Sequence, residues 1–192
     1  MNNYEYIIAS LPVLNRDSRT AEGFSASSTI EEIRSQLDAG DCARLDFLLD
    51  GFDSDKLNEA FYTKALKSSS SFIRGYFGYD LTVRNTRVQW LNSELGRPAG
   101  QDMLDMGRDE DSEENSAILA VLTGKDILER ERGLDSLMWD RIESLNEMKV
   151  FDLDVILGFV AKLKIVERWL KLDPQTGREL FRKMVEEIRA NR

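Results

Sequence analysis

The sequence predicts an all-α fold, built as a helical bundle or as two related helical units. Three observations carry this expectation. Apolar residues recur at the 3.6-residue period, most regularly at Ile73, Phe77, Leu81, Val88, Leu91 and Leu95. Prolines stand only at positions 12, 98 and 174, so long spans are free to be helical. No alternating apolar–polar run is long enough to make a sheet.

Each element follows from local chemistry. Tyr4–Leu11 is an aromatic and aliphatic segment stopped by Pro12, with helix and strand both open. Asn15–Ser28 reads as a polar connector. Ser28 with Glu31 three positions on forms a capping-box pattern, which starts a short helix through Leu37. Gly40 is placed to end it, and Asp41 to cap a second helix that runs to about Gly51 and buries Leu45, Leu48 and Leu49. A third fits Asp55–Lys67, carrying Leu57, Phe61, Ala65 and Leu66. Ser70 or Ser71 starts the longest helix, continuing to about Leu95 before Gly96 and Pro98.

Residues 100–115 read as an acidic linker, dense in Asp109, Glu110, Asp111, Glu113 and Glu114. It separates an N-terminal helical unit, 1–99, from a C-terminal one, 116–192, unless the two pack as one domain. The second unit holds helices at Ser116–Leu122, Leu134–Met148 and Asp152–Leu172, then one announced by Asp173-Pro174 and carrying Leu180, Phe181, Met184, Val185 and Ile188. A faint internal echo pairs Phe77/Asp80 with Phe151/Asp154, each ahead of a tryptophan, Trp90 or Trp169.

Composition narrows function. The 192 residues contain no histidine and a single cysteine, Cys42. That removes Ser-His and Cys-His nucleophile pairs and histidine-based zinc sites, while a carboxylate, lysine or tyrosine enzyme stays open. Twenty-six basic against thirty-five acidic residues give a net charge of −9, which opposes binding to nucleic acid and anionic membrane. One cysteine makes no internal disulfide, pointing to a reducing, cytoplasmic setting. Cys42 itself reads as a small packed side chain. Met1–Leu14 lacks a signal-peptide pattern, and the longest apolar runs, Ala117–Leu122 and Val155–Ala161, fall far short of a membrane span.

The polar constellations favour contact over chemistry. Asp80 and Arg84 stand one turn apart on the long helix, acid first, with Asn85 and Arg87 nearby. An internal polar network, a docking surface and a catalytic carboxylate all fit that arrangement. A calcium loop begun at Asp109 places Glu114 where glycine is needed and Ala120 at the bidentate glutamate position, so the motif fails. Arg74-Gly75-Tyr76-Phe77-Gly78 lacks the Lys-Ser/Thr of a phosphate loop. Tyr4, Tyr6, Phe72, Tyr76, Phe77 and Tyr79 form an aromatic set suited to core or interface. Asp152–Leu172 carries a second apolar ridge, Ile165, Trp169 and Leu172, beside its main one.

These residues carry a resemblance. Tyr4-Glu5-Tyr6-Ile7-Ile8-Ala9-Ser10-Leu11-Pro12 and Lys164-Ile165-Val166-Glu167-Arg168-Trp169-Leu170-Lys171-Leu172-Asp173 resemble the start and end motifs of an uncharacterised bacterial family whose genes accompany V/A-type ATPase subunits. A more distant likeness reaches the C/d subunit of rotary ATPases, through the Tyr4/Tyr6 spacing, Asp80-Leu81 with Asn85, and Phe151, Ile156-Leu157, Phe159-Val160 and Lys162. That subunit has roughly three helical units, whereas this chain holds at most two.

The resemblance implies an all-helical, non-catalytic adaptor that needs no cofactor or metal and links the central stalk to the rotor ring. It would sit in the cytoplasm, peripheral on the cytoplasmic face of the membrane complex and without inserting, and self-association is compatible with it. Tyr4, Tyr6, Tyr76, Tyr79, Asp80, Arg84, Arg87 and Trp169 are the expected interface residues. The rival readings are a carboxylate enzyme built around Asp80, Arg84 and Tyr79, and a self-associating helical bundle with a regulatory duty.

Overall fold

The computed structural model describes residues 4–16, 25–107 and 112–171. Among them are eight α-helices and no strand: α1 (Tyr4–Ser10), α2 (Ala26–Ser35), α3 (Ala39–Asp50), α4 (Glu59–Leu66), α5 (Ser71–Glu94), α6 (Ser112–Leu122), α7 (Ile127–Asn146) and α8 (Leu153–Lys171). A 3-10 turn, Ser54–Lys56, lies before α4. The expected all-α class holds. The helix expected from Asp173-Pro174, with Leu180 through Ile188, lies outside the described residues, as do Asp109, Glu110 and Asp111.

Helix starts follow the local oxygen acceptors, in several places not the ones expected. Tyr4–Ser10 is helical, which resolves the open choice for the first segment. Ser25, not Ser28, caps α2, accepting from Ser28 N at 3.4 Å. The earlier start turns Ala26 into the core. Asp38, not Asp41, caps α3, accepting from Asp41 N at 2.9 Å, so Gly40 falls inside the helix instead of ending the previous one. Asn58 accepts from Phe61 N at 3.0 Å and starts α4 afresh, which breaks the expected continuous helix from Asp55. Ser70 caps α5 as expected, accepting from Ile73 N at 3.2 Å. Asp126 caps α7, whose first residue, Ile127, stands seven positions before the expected start at Leu134.

The core is one continuous cluster that draws on both sides of the acidic segment. Leu45 and Leu48 of α3, Tyr62 and Ala65 of α4, Phe72, Ile73 and Phe77 of α5, Ile142 of α7, and Ile156, Leu157, Val160 and Leu163 of α8 are all essentially inaccessible. The two expected units therefore share a single interior. Helix α5 is the spine of this arrangement, packing against α4, α6, α7 and α8.

Two glycines mark close approaches. A Cβ on Gly75 would stand 2.4 Å from Leu145 Cδ2, and one on Gly158 would stand 2.1 Å from Asn146 Nδ2. Both positions let α7 press onto its neighbours at a distance no larger side chain permits. Aromatic rings fill the space around the start of α5. Phe47 stacks on Phe61 at 4.8 Å, Phe61 meets Phe77 edge-on at 4.9 Å, and Phe72 stacks on Tyr76 at 5.7 Å.

The apolar stripe of α5 changes character along its length. Ile73, Phe77 and Leu81 are buried, but Leu91 and Leu95 are exposed, at 41% and 60%. In that half the buried positions are Thr86 and Asn92. Thr86 donates to Thr82 O at 2.8 Å and lies 3.0 Å from Asn115 Oδ1; Asn92 donates to the carbonyls of Ala99 and Gln101 at 3.3 and 2.7 Å. The start of the acidic segment is thus anchored, with Asn85 also exchanging two hydrogen bonds with the Leu104 backbone. Phe77 lies within α5 while Phe151 is exposed ahead of α8, so the internal echo does not mark equivalent places.

Candidate docking surface

The expected interface residues separate into three places. Tyr4 and Tyr6 stand on α1. Tyr6 is 63% exposed, whereas Tyr4 is partly buried and donates its hydroxyl to Asp41 Oδ2 at 2.5 Å. Asp41 is buried and also takes Arg44 at 2.7 Å. This carboxylate ties the N-terminal helix to α3, and the tie explains why Asp38 is left to cap.

Tyr76 and Tyr79 are buried, at 4% and 6% exposure, which removes both as surface anchors. Their ring faces pack the interior, and burial pushes both hydroxyls up from the usual tyrosine range. Beside them, Tyr62 of α4 donates to Asp80 Oδ2 at 2.6 Å. Burial raises the Asp80 carboxyl above its usual range, against the Tyr62 hydrogen bond and the Arg84 charge, which both pull it down. The Tyr62 hydroxyl is driven up strongly by burial and by the Asp80 charge. Asp80 is thus part of an internal polar network in which Tyr62, a residue the sequence pattern did not single out, supplies the hydrogen bond.

Arg87 and Trp169 are brought together although 82 positions separate them in sequence. Arg87 pairs with Glu131 at 2.8 Å, and Arg168 reaches Glu131 at 3.6 Å and Asp135 at 2.5 Å. Trp169 Nε1 donates to Asp135 Oδ2 at 2.6 Å, and Arg132 lies over the Trp169 ring at 4.8 Å. Burial raises the Asp135 carboxyl, opposed by Arg168 and by the Trp169 hydrogen bond. A further network surrounds Trp139, whose Nε1 donates to Glu143 at 2.8 Å while Lys162 lies 4.8 Å above its ring. The Lys162 hydrogen bond holds the Glu143 carboxyl below its usual range.

Sequence reasoning missed the tightest cluster. Asp154, buried in the first turn of α8, accepts from Ser70 Oγ and Ser71 Oγ, each at 2.8 Å, from Phe72 N at 3.3 Å, and from Lys149. Burial alone would raise this carboxyl, but Lys149 and the two serines hold it below its usual range. The serine run 68–71 was the available signal, since hydroxyls ahead of a helix leave donors to spare.

A broad concavity lies apart from these networks. An open groove of about 960 Å³ runs between α3 and α4 over the start of α5. The surface it exposes is mainly apolar, and Phe47 and Ile73 are among its lining residues. A smaller cleft of 420 Å³ lies beside α5 at Leu81, Asn85 and Leu104, and neither cavity reaches Asp80. Among the described residues no three metal-binding side chains converge, and no helix is long and apolar enough to cross a membrane.

Residues 99–192 match the model of a family described as "Protein of unknown function (DUF2764)". The matched span contains the Lys164–Asp173 segment that carries part of the resemblance noted above. No curated protein and no solved structure matches the chain.

Proposed function

We propose that this chain is a non-catalytic adaptor of a V/A-type ATPase, working by docking between the central stalk and the rotor ring. The observation that carries the docking part is the α3/α4 groove, an open concavity that exposes mainly apolar surface and is lined also by Arg44, Lys64 and Lys67. By contrast, the buried carboxylates Asp41 and Asp154 and the partly buried Asp80 are each spent on internal hydrogen bonds that fix one helix against another. Carboxylates used in this way rigidify a scaffold. A part that holds geometry under load needs rigidity more than chemistry. The ATPase assignment is supported by the Tyr4–Pro12 and Lys164–Asp173 segments and by the all-helical architecture.

The rival enzyme reading has a perturbed carboxyl in Asp80 to support it, but Asp80 lines neither the α3/α4 groove nor the cleft beside α5, and Tyr79 is buried. The deciding experiment is co-purification of the tagged chain with stalk and rotor subunits from source-cell membranes. Stable association at physiological salt is expected; its absence rejects the ATPase assignment.

A further inference from the structure

We infer that the α3/α4 groove is the seat of an acidic amphipathic helix from a partner protein. This rests on the docking reading above, but not on which complex the chain serves. Three features define the occupant.

The first is size. Two turns of α-helix are about 11 Å long and about 10–12 Å wide with side chains, a volume on the order of 1,000 Å³. The groove holds about 960 Å³. Its walls include Ala43 and Ala60, both exposed, whose short side chains let a helix backbone approach closely. Phe47 and Ile73 add apolar lining. Such a surface takes an apolar stripe, and it lacks the buried convergent polar groups that orient a small molecule. Asn58, the polar side chain at one end, is already engaged as the cap of α4.

The second is charge. Arg44, Lys64 and Lys67 line the groove against one carboxylate, Glu59, in a chain of net charge −9. Arg44 is paired with Asp41, but neither Lys64 nor Lys67 makes an ion pair with a described residue. Lys64 lies 4.9 Å over the Phe47 ring, so its ammonium is held at the groove itself. A local positive rim on an acidic protein selects an anionic partner and repels a basic one.

The third is the poor fit of this chain's own segments. The acidic stretch after residue 104 is fastened to Asn85, twelve positions along α5 from Ile73, or about 18 Å away. Residues 173–192 carry five basic and four acidic side chains, and so lack the net negative charge the rim calls for.

The test places a benzophenone amino acid at Thr63, inside the groove, in the full-length chain expressed in its source cells, and maps cross-links by peptide mass spectrometry. The expected adduct is with a segment bearing acidic residues on one helical face and apolar residues on the other. Lys64→Glu with Lys67→Glu should cut its yield at least tenfold with an unchanged circular dichroism spectrum. Lys64→Gln with Lys67→Gln should cut it less. An adduct only with a second copy of the chain, only with lipid, or with a basic segment overturns the proposal. So does a yield unaffected by charge reversal, or no adduct above that from the same probe at exposed Leu95. Co-purification with the ATPase without a Thr63 adduct rejects the groove alone. An acidic-helix adduct from a protein outside that complex supports the groove and rejects the ATPase assignment.

Discussion

Ser70 donates its hydroxyl to Asp154 at 2.8 Å, joining the first turn of α5 to the first turn of α8 across 84 positions of chain. The same hydroxyl accepts from Ile73 N, so one side chain caps its own helix and binds a second. Asp154 completes the joint through Ser71, the Phe72 amide and Lys149.

Replacing Asp154 should therefore be costly. Asp154→Ala leaves three donors and the Lys149 ammonium without their acceptor, and we expect a loss of about 3 kcal/mol in urea denaturation. The pH dependence has a definite sign. Because the folded carboxyl lies below its unfolded value of 3.8, its stabilisation is present above that value and is lost as pH falls through the folded pKa. The variant should lack this acid-side loss.

Asp80 should behave in the opposite sense. Its folded pKa is raised above 3.8 by burial, so its contribution is fully present below that value and disappears as pH rises through the folded pKa. Asp80→Asn keeps an acceptor for Tyr62 and removes the ionisation. Its stability should fall less than that of the wild type between pH 3.8 and neutrality, measured by urea midpoints across pH.

Tyr62→Phe isolates the hydrogen bond. The ring stays in the core, but Asp80 loses its donor, at an expected cost of about 1–3 kcal/mol. The Asp80 carboxyl should titrate still higher, because the lost hydrogen bond was pulling it down. Carboxyl NMR titration would read the change directly.

Gly158→Ala tests the α7–α8 approach. The added methyl would stand 2.1 Å from Asn146 Nδ2, which itself donates to Asp154 O at 3.0 Å. Relief must shift that amide or part the helices, for an expected loss of about 1–3 kcal/mol by thermal unfolding.

Tyr6→Ser separates folding from docking. Tyr6 is 63% exposed, so stability should change by no more than about 0.5 kcal/mol. If Tyr6 is an interface residue, as the sequence resemblance implies, co-purification with the stalk and rotor subunits should weaken.

Much of the fold was legible because its signals are local. The span of α5 followed from the Ser70 cap and a continuous 3.6-residue period, and Leu45 and Leu48 were placed inside by spacing alone. The misplaced starts lie where more than one nearby side chain can cap, and at α3 a distant residue decides between them: Tyr4 engages Asp41, which leaves Asp38 to cap. Exposure of Leu91 and Leu95 was hidden for a related reason, since periodicity reports a face but not whether another helix covers it. The candidate surface was read less well. Tyr76 and Tyr79 share the composition of an interface but fill the interior, and the groove is made by α3, α4 and α5 together, which no single stretch of sequence encodes.

The path of α5 has a mechanical consequence. Its 24 residues span about 36 Å and pack against helices from both halves of the chain, so among the described residues the two halves are held together by one shared helix. Heat or denaturant should take the protein apart in one cooperative step, and a pull applied at one end should reach the other undiminished by any hinge between.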